Sequence, residues 1–220
     1  MKEQAYDTLR ELILIGKLVP GQPVVEAQIA PLLGTSKTPV REALLRLEAE
    51  GLVTLSPYKG GRVAKLSLRE LQDLQFVRWT LEVAAAKLTA DRIAPGTLAR
   101  ARACLDRMQE ETAREEWDGY RESHREFHAI LFDAAGNRVL AKMLLDLFDQ
   151  MQRYSKFCLQ WNAAYWTRDE EDHHAALAAI ERKEVGAFEA IFGRMNASFL
   201  AYVEQALRRN EGSLASYFEE

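Results

Sequence analysis

The chain has 220 residues, 48% hydrophobic and 28% charged, with a formal net charge of -4, enough apolar material for two cored domains without staples. Its two cysteines, Cys104 and Cys158, lie in helix-like apolar surroundings and indicate neither a disulfide framework nor a thiol zinc site. No charged-then-apolar leader opens it and no apolar run nears the roughly 18 residues that a bilayer crossing needs, so a cytoplasmic protein with no membrane partner is expected.

Charge is unevenly placed: residues 1–66 hold nine Lys/Arg against seven Asp/Glu, and the remainder twenty against twenty-six. Only the first part has a reason to approach phosphate. There Ala5, Leu9, Leu12 and Ile13 fall at helical spacing, closed by Gly16. PGQP at 20–23 breaks the chain, and EAQIAPLL makes a short second helix ending at Gly34. Pro31 is awkward in a helix begun at Val25, where it costs about 3 kcal/mol, so a later start or a kink is expected. Thr38 is expected to cap a third helix with Pro39 at its first position. Val40, Ala43, Leu44 and Leu47 then form a core stripe, and Gly51 stops the helix. Lys37, Thr38 and Arg41 project from the N-terminal half of the other face. LVTL and RVAKL, joined by SPYKGG, read as a hairpin. Helix, helix, turn, helix, hairpin is a winged helix-turn-helix.

From Leu66 onward the pattern is helical, at roughly 67–91, 95–114, 116–135, 137–160, 166–182 and 184–209. Ser67 offers a cap, PGT at 95–97 and GN at 136–137 are breaks, 161–168 is an aromatic-rich connection, and the last ten residues look frayed. The fold class is mainly α: a winged helix-turn-helix DNA-binding domain over 1–66 and an all-α antiparallel helical bundle over 67–220, serving effector binding and dimerisation.

The stretch PGQPVVEAQIAPLLGTSKTPVREALLRLEAEGLVTLSPYKGGRVA resembles the DNA-binding domain of the GntR family of bacterial transcription regulators. The helical remainder is similar to the FCD effector domain of the FadR-type branch, and six helices fit its smaller, VanR-like variant. The resemblance implies a DNA-binding regulator, most commonly a repressor, controlled by an organic acid. Physics supplies the docking: a recognition helix fits the major groove, its N-terminal turn suits phosphate, and Arg41 is the residue best able to read a base. Lys37 stands where the family usually has Arg and suits phosphate or a single base contact. Ser36 and Thr38 have hydroxyls suited to phosphate. Tyr58, Lys59 and Gly60 lie at the hairpin tip, where the family's wing reaches the adjacent minor groove. One small module buries little DNA, so a homodimer on an inverted-repeat operator is expected.

In the helical part, Leu71, Leu74, Arg78, Leu81, Ala85 and Leu88 trace one face, which Arg78 interrupts. An inward guanidinium needs a carboxylate, which Glu82 can supply internally or an anionic effector from outside; family effectors are commonly acids held by such an Arg. Trp117, Tyr120, His124, Phe127, His128 and Leu131 form a second stripe, and His173, Ala176, Leu177 and Ile180 a third. His124 and His128, one turn apart, can reach a single ion, whereas His174 reads as solvent-facing. Metal-binding members of the branch carry Asp and His four apart, a His in an acidic-His motif, and a last His downstream. REFHAIL and EDHHAAL resemble the second and third elements, giving His128 and His173. His124 stands in place of the Asp, and Met195 in place of the last His. Three imidazoles can still hold one zinc or nickel ion per subunit; the alternative is a metal-free pocket whose histidines bind the acid directly. A protein-interaction adaptor and a metal-dependent enzyme are the other functional classes, and against catalysis no nucleophile-base constellation accompanies the histidines.

Overall fold

The computed structural model describes residues 2–56, 60–158, 163–209 and 215–219. The N-terminal unit runs α1 (Lys2–Leu14), β1 (Pro23–Val24), α2 (Glu26–Leu32), α3 (Lys37–Ala49), β2 (Val53–Ser56) and β3 (Gly60–Val63). The expected hairpin is β2 against β3, with Val53 opposite Val63 and Leu55 opposite Gly61. Gly61 is closely packed: a Cβ there would come within 3.1 Å of Leu55 and 3.2 Å of Val53, so one of those side chains would have to shift. A third strand, β1, which two residues of sequence could not announce, pairs antiparallel with the other edge of β3. Leu9, Ile13, Val40, Leu44, Leu47 and Leu52 are buried together as the core of this head.

Two local expectations are corrected. Helix α3 starts at Lys37 with Ser36 as its N-cap residue, so Thr38 is its second residue and Pro39 its third. The first four N–H groups of any helix lack intrahelical partners, so a proline is harmless at the third position as well, and here its ring is buried in the head. Helix α2 does not start late. Val25 is its N-cap and Pro31 sits in its last turn, where the missing N–H deprives only the Ala27 carbonyl of a partner. The helix closes at once with Gly34 at φ 60, Gly34 N donating to Pro31 O at 3.1 Å and Thr35 N to Ala30 O at 2.9 Å. That is a glycine C-terminal cap that aims the turn into α3.

The second unit contains, among the described residues, α4 (Leu68–Arg92), α5 (Pro95–Ala113), α6 (Trp117–Ala134), α7 (Arg138–Cys158), α8 (Ala163–Glu181) and α9 (Val185–Arg209). Ser67 caps α4, its hydroxyl accepting from Glu70 N, and Pro95 opens α5. Leu71, Leu105, Met108, Phe127, Tyr154, Leu177, Phe192 and Val203 belong to one continuous core. The aromatic-rich connection is shorter than 161–168, because Tyr165 and Trp166 already lie in the first turns of α8 and are buried. Trp166 packs edge-on to Tyr120 at 4.6 Å, and burying that much apolar surface draws the chain into the helix early. The chain end also departs from expectation. After a short 3-10 turn, Ala215–Tyr217, Phe218 is buried against Tyr154. Leu66 N donates to Tyr217 O and Glu219 N to Leu66 O, each at 2.8 Å, so the C-terminal segment clasps the junction between the units.

The units also meet beyond the junction. Asp149 of α7, buried, accepts from Arg10 of α1 at 2.9 Å and from Arg125 of α6 at 2.7 and 3.0 Å. Arg121 of α6 bridges to Glu11 of α1 at 3.1 Å. Arg153, buried, donates to the carbonyl oxygens of Gly51 and Ala64, and burial pulls its pKa down. No helix among the described residues is long and apolar enough to cross a membrane.

Candidate functional site

Two faces gather the residues singled out above. On the head, Ser36, Lys37, Thr38 and Arg41 are all exposed at the start of α3, and Gly60, exposed, opens β3 with φ 78. Tyr58 and Lys59 lie outside the described residues. Arg41 makes a bridge that sequence reasoning missed: its Nε and NH2 donate to the two carboxylate oxygens of Glu26 at 2.8 and 2.9 Å. The signal for it was Glu26 at the start of one helix and Arg41 at the start of the next, with no periodicity to connect them.

Inside the helical unit, α6 and α8 bring the histidines to one point. His124 and His128 are one turn apart on the inward face of α6, and His173 points at them from α8. Their Nε2 atoms form a small triangle, 2.9 Å from His124 to His173, 3.1 Å from His124 to His128 and 3.2 Å from His128 to His173. Nδ1 of His173 lies 2.6 Å from the Asp169 carbonyl oxygen, which places its proton on Nδ1 and its lone pair on Nε2. Three Nε2 atoms this close cannot satisfy one another, since each shared proton serves one contact of three. Shared coordination resolves the conflict. Zn–N bonds of about 2.0–2.1 Å at angles between 90° and tetrahedral put ligand nitrogens roughly 2.9–3.4 Å apart, and all three separations fall in that range. The residues present therefore fit a divalent ion held by His124, His128 and His173.

The surroundings keep His124 and His128 neutral, as ligation requires. Burial, helped by the neighbouring histidines and Arg78, holds His124 and His128 well below the usual 6.5. Asp169, one turn before His173, was not anticipated. It accepts from the Tyr120 hydroxyl at 2.8 Å and has Oδ2 3.4 Å from His173 Nδ1, so it orients the ring. His174 is exposed.

Arg78 lies beside the triangle over the Phe148 ring at 5.1 Å. Its carboxylate partner is internal: Nε and NH2 both meet Glu82 Oε1 at 2.9 Å. Burial pushes Glu82 up to about 7 against the pull of Arg78, and its Oε2 has no hydrogen-bond partner among the described residues. Among the described residues, NH1 of Arg78 has the Met151 sulfur as its hydrogen-bond partner, at 3.6 Å, a weak acceptor. A cavity of about 40 Å³ opens here, lined by Arg78, His124, His173, Gln152, Met195 and Asn196 among others, room for a few waters or a small polar group. Met195 thus borders the cavity near the histidines, although a thioether is a poor ligand for zinc or nickel.

Both units match known protein families. Residues 1–63 match the model of the bacterial regulatory proteins of the gntR family and residues 73–197 that of the FCD domain. The chain belongs to the GntR family of DNA-binding transcription regulators and carries an FCD effector domain. It is similar to the HTH-type transcriptional regulator McbR of Escherichia coli K12, 27% identical over 182 residues covering 82% of each chain. It is also similar to the HTH-type transcriptional repressor GlaR of the same strain, 27% identical over 216 residues, 93% of this chain and 96% of that one. Among solved structures, E. coli McbR/YncC superposes with a TM-score of 0.82 at 25% identity over 93% of this chain and 97% of that one. A putative GntR regulator from Rhodococcus sp. RHA1 shares the fold, with a TM-score of 0.74 at 22% identity over 91% and 97%. These relatives are regulators, and so is this chain; it is not an enzyme.

Proposed function

We propose that the protein is a cytoplasmic repressor that binds an inverted-repeat operator as a homodimer and changes its grip when a small organic acid enters the FCD domain. Residues 1–66 act as the DNA-binding head and 67–220 as the effector and dimerisation domain. The observation that carries the reading is the convergence of His124, His128 and His173 beside Arg78. One zinc or nickel ion per subunit, bound there, supplies a Lewis-acidic anchor for a carboxylate. Arg78 NH1, which among the described residues meets the Met151 thioether, offers the acid a charge-assisted hydrogen bond. Asp169 and Tyr120 hold His173 in place.

On the head, Arg41 is the base reader, Ser36, Lys37 and Thr38 engage phosphates, and Tyr58, Lys59 and Gly60 of the wing meet the adjacent groove. Dimerisation has an apolar face to use: Phe76 and Val77 of α4 and Val139 and Met143 of α7 are exposed, on helices that pack together. The acid's signal has a short route, since α6 carries His124 and His128 and also Arg121 and Arg125, whose ion pairs reach α1 of the head. A shift of α6 would move both heads and change the spacing of the recognition helices.

The test begins with DNA selected by the full-length protein from a random-sequence pool. An inverted repeat should emerge, and Lys59→Ala should weaken binding to every sequence and reduce its salt dependence. A panel of small carboxylic acids is then screened for release of the selected duplex. Release by an acid that Arg78→Ala and His128→Ala both leave unchanged would place the effector elsewhere.

A further inference from the structure

Arg41 does not stand free. Its guanidinium meets the Glu26 carboxylate along one edge, Nε to Oε1 at 2.8 Å and NH2 to Oε2 at 2.9 Å. Glu26 is the first residue of α2 and Arg41 lies just over a turn into α3, so the bridge ties together the two helices of the helix-turn-helix. A guanidinium carries five N–H bonds in a planar fork. The bridge uses the Nε hydrogen and one NH2 hydrogen. It leaves the adjacent edge, one hydrogen each from NH1 and NH2, turned away from the carboxylate, and two parallel N–H groups of this kind match N7 and O6 of a guanine. Arg41 is the exposed partner, with 66% of its side chain accessible against 24% for Glu26, so the carboxylate supports the guanidinium from the sheltered side. Its hydrogen bonds to Arg41, opposed by burial and reinforced by the charges of Arg41 and Lys37, hold Glu26 below the usual carboxylate value.

We propose that Glu26 is a specificity-determining positioning residue: it presents the outer edge of Arg41 to one guanine of each half-site. This rests on Arg41 being the base reader. An unsupported arginine brings the rotamer freedom of a long side chain to the interface, and much of that is removed before docking when the fork is already clamped. The carboxylate also acts against wrong sites. A negative charge beside the DNA is tolerated when Arg41 stays bridged and bonded to guanine, and is repelled by phosphate in any docking that breaks the bridge. Both effects raise discrimination more than affinity. An exposed ion pair adds little to folding, so removing it should leave the head intact.

The test uses the full chain and the duplex that wild type selects from a random-sequence pool. Binding is followed by fluorescence anisotropy at one fixed salt concentration, on that duplex, on versions with each G·C pair replaced, and on a scrambled duplex. Glu26→Gln should weaken the selected duplex roughly tenfold and flatten the preference at one G·C pair per half-site, while binding to the scrambled duplex stays equal or tightens. In an Arg41→Ala background the same substitution should change no preference at all. Glu26→Gln with wild-type discrimination would make the carboxylate a bystander, and sharper discrimination would make it a competitor for Arg41; either overturns the proposal. Discrimination that survives Arg41→Ala would show that another residue reads the base, a failure of the reader itself, visible in that variant alone.

Discussion

Adding zinc to metal-stripped protein is the perturbation that probes the helical domain most directly. The three Nε2 atoms are already 2.9 to 3.2 Å apart, so little rearrangement is needed, and burial keeps His124 and His128 free of protons at neutral pH. Ion binding to the folded state alone stabilises it by linkage. At free zinc one hundred times the dissociation constant the gain is about 2.7 kcal/mol, which for a chain of this size raises Tm by roughly 5 to 10 °C. The assay is thermal unfolding of protein prepared without a metal-affinity column, stripped with chelator, then titrated with zinc or nickel, with the bound metal counted by elemental analysis. One ion per chain and a Tm gain abolished in His128→Ala are expected. No stoichiometric metal after reconstitution, or equal uptake by His128→Ala, would refute the triangle as an ion site and leave three histidines that bind the acid directly or pack.

Stability of the metal-stripped protein should fall as pH drops. Burial, with the neighbouring histidines and Arg78, holds the folded pKa values of His124 and His128 well below 6.5, so the unfolded chain takes up protons first and their contribution to stability is lost as pH falls below 6.5. Glu82, raised to about 7, opposes them with the reverse sign between 4.5 and 7, but two histidines outweigh one carboxyl, so stability should fall below pH 6.5; urea unfolding with chelator at three pH values checks it, and a flat profile would count against it. Asp149→Ala removes a buried carboxylate that joins Arg10 to Arg125, whose side chains keep some access to water, and should cost about 1 to 3 kcal/mol while uncoupling acid-induced release from DNA binding, read by anisotropy with and without the acid; undiminished release would exclude this route. Met143→Glu places a charge on the exposed α4/α7 face and should shift micromolar protein from dimer to monomer in sedimentation; an unchanged dimer would move the interface elsewhere.

Much of this molecule follows from short-range rules legible in the sequence. Caps, breaks and apolar periods mark its helices, and the run from Ser36 to Arg41 marks the recognition helix, because each depends on residues within a turn or two of one another. The inward placement of His124, His128 and His173 is of the same kind, being a property of helix faces. How those faces meet is not. That the three imidazoles share one point, and that Arg78, met by Glu82 one turn along its own helix, turns NH1 towards Met151 beside the cavity, depend on the packing of α4, α6, α7 and α8. Residues far apart in the chain escaped the reading altogether: β1 against β3, Phe218 against the junction at Leu66, Glu26 beneath Arg41, and Asp149 between Arg10 and Arg125. Even the N-cap of α3 lies at Ser36 rather than Thr38, since the first-turn N–H groups are unpaired whichever residue begins the helix, so local sequence does not fix where it starts. Local sequence sets what each segment can become; only the tertiary structure decides which polar groups, placed by different segments, must answer one another once water has been removed.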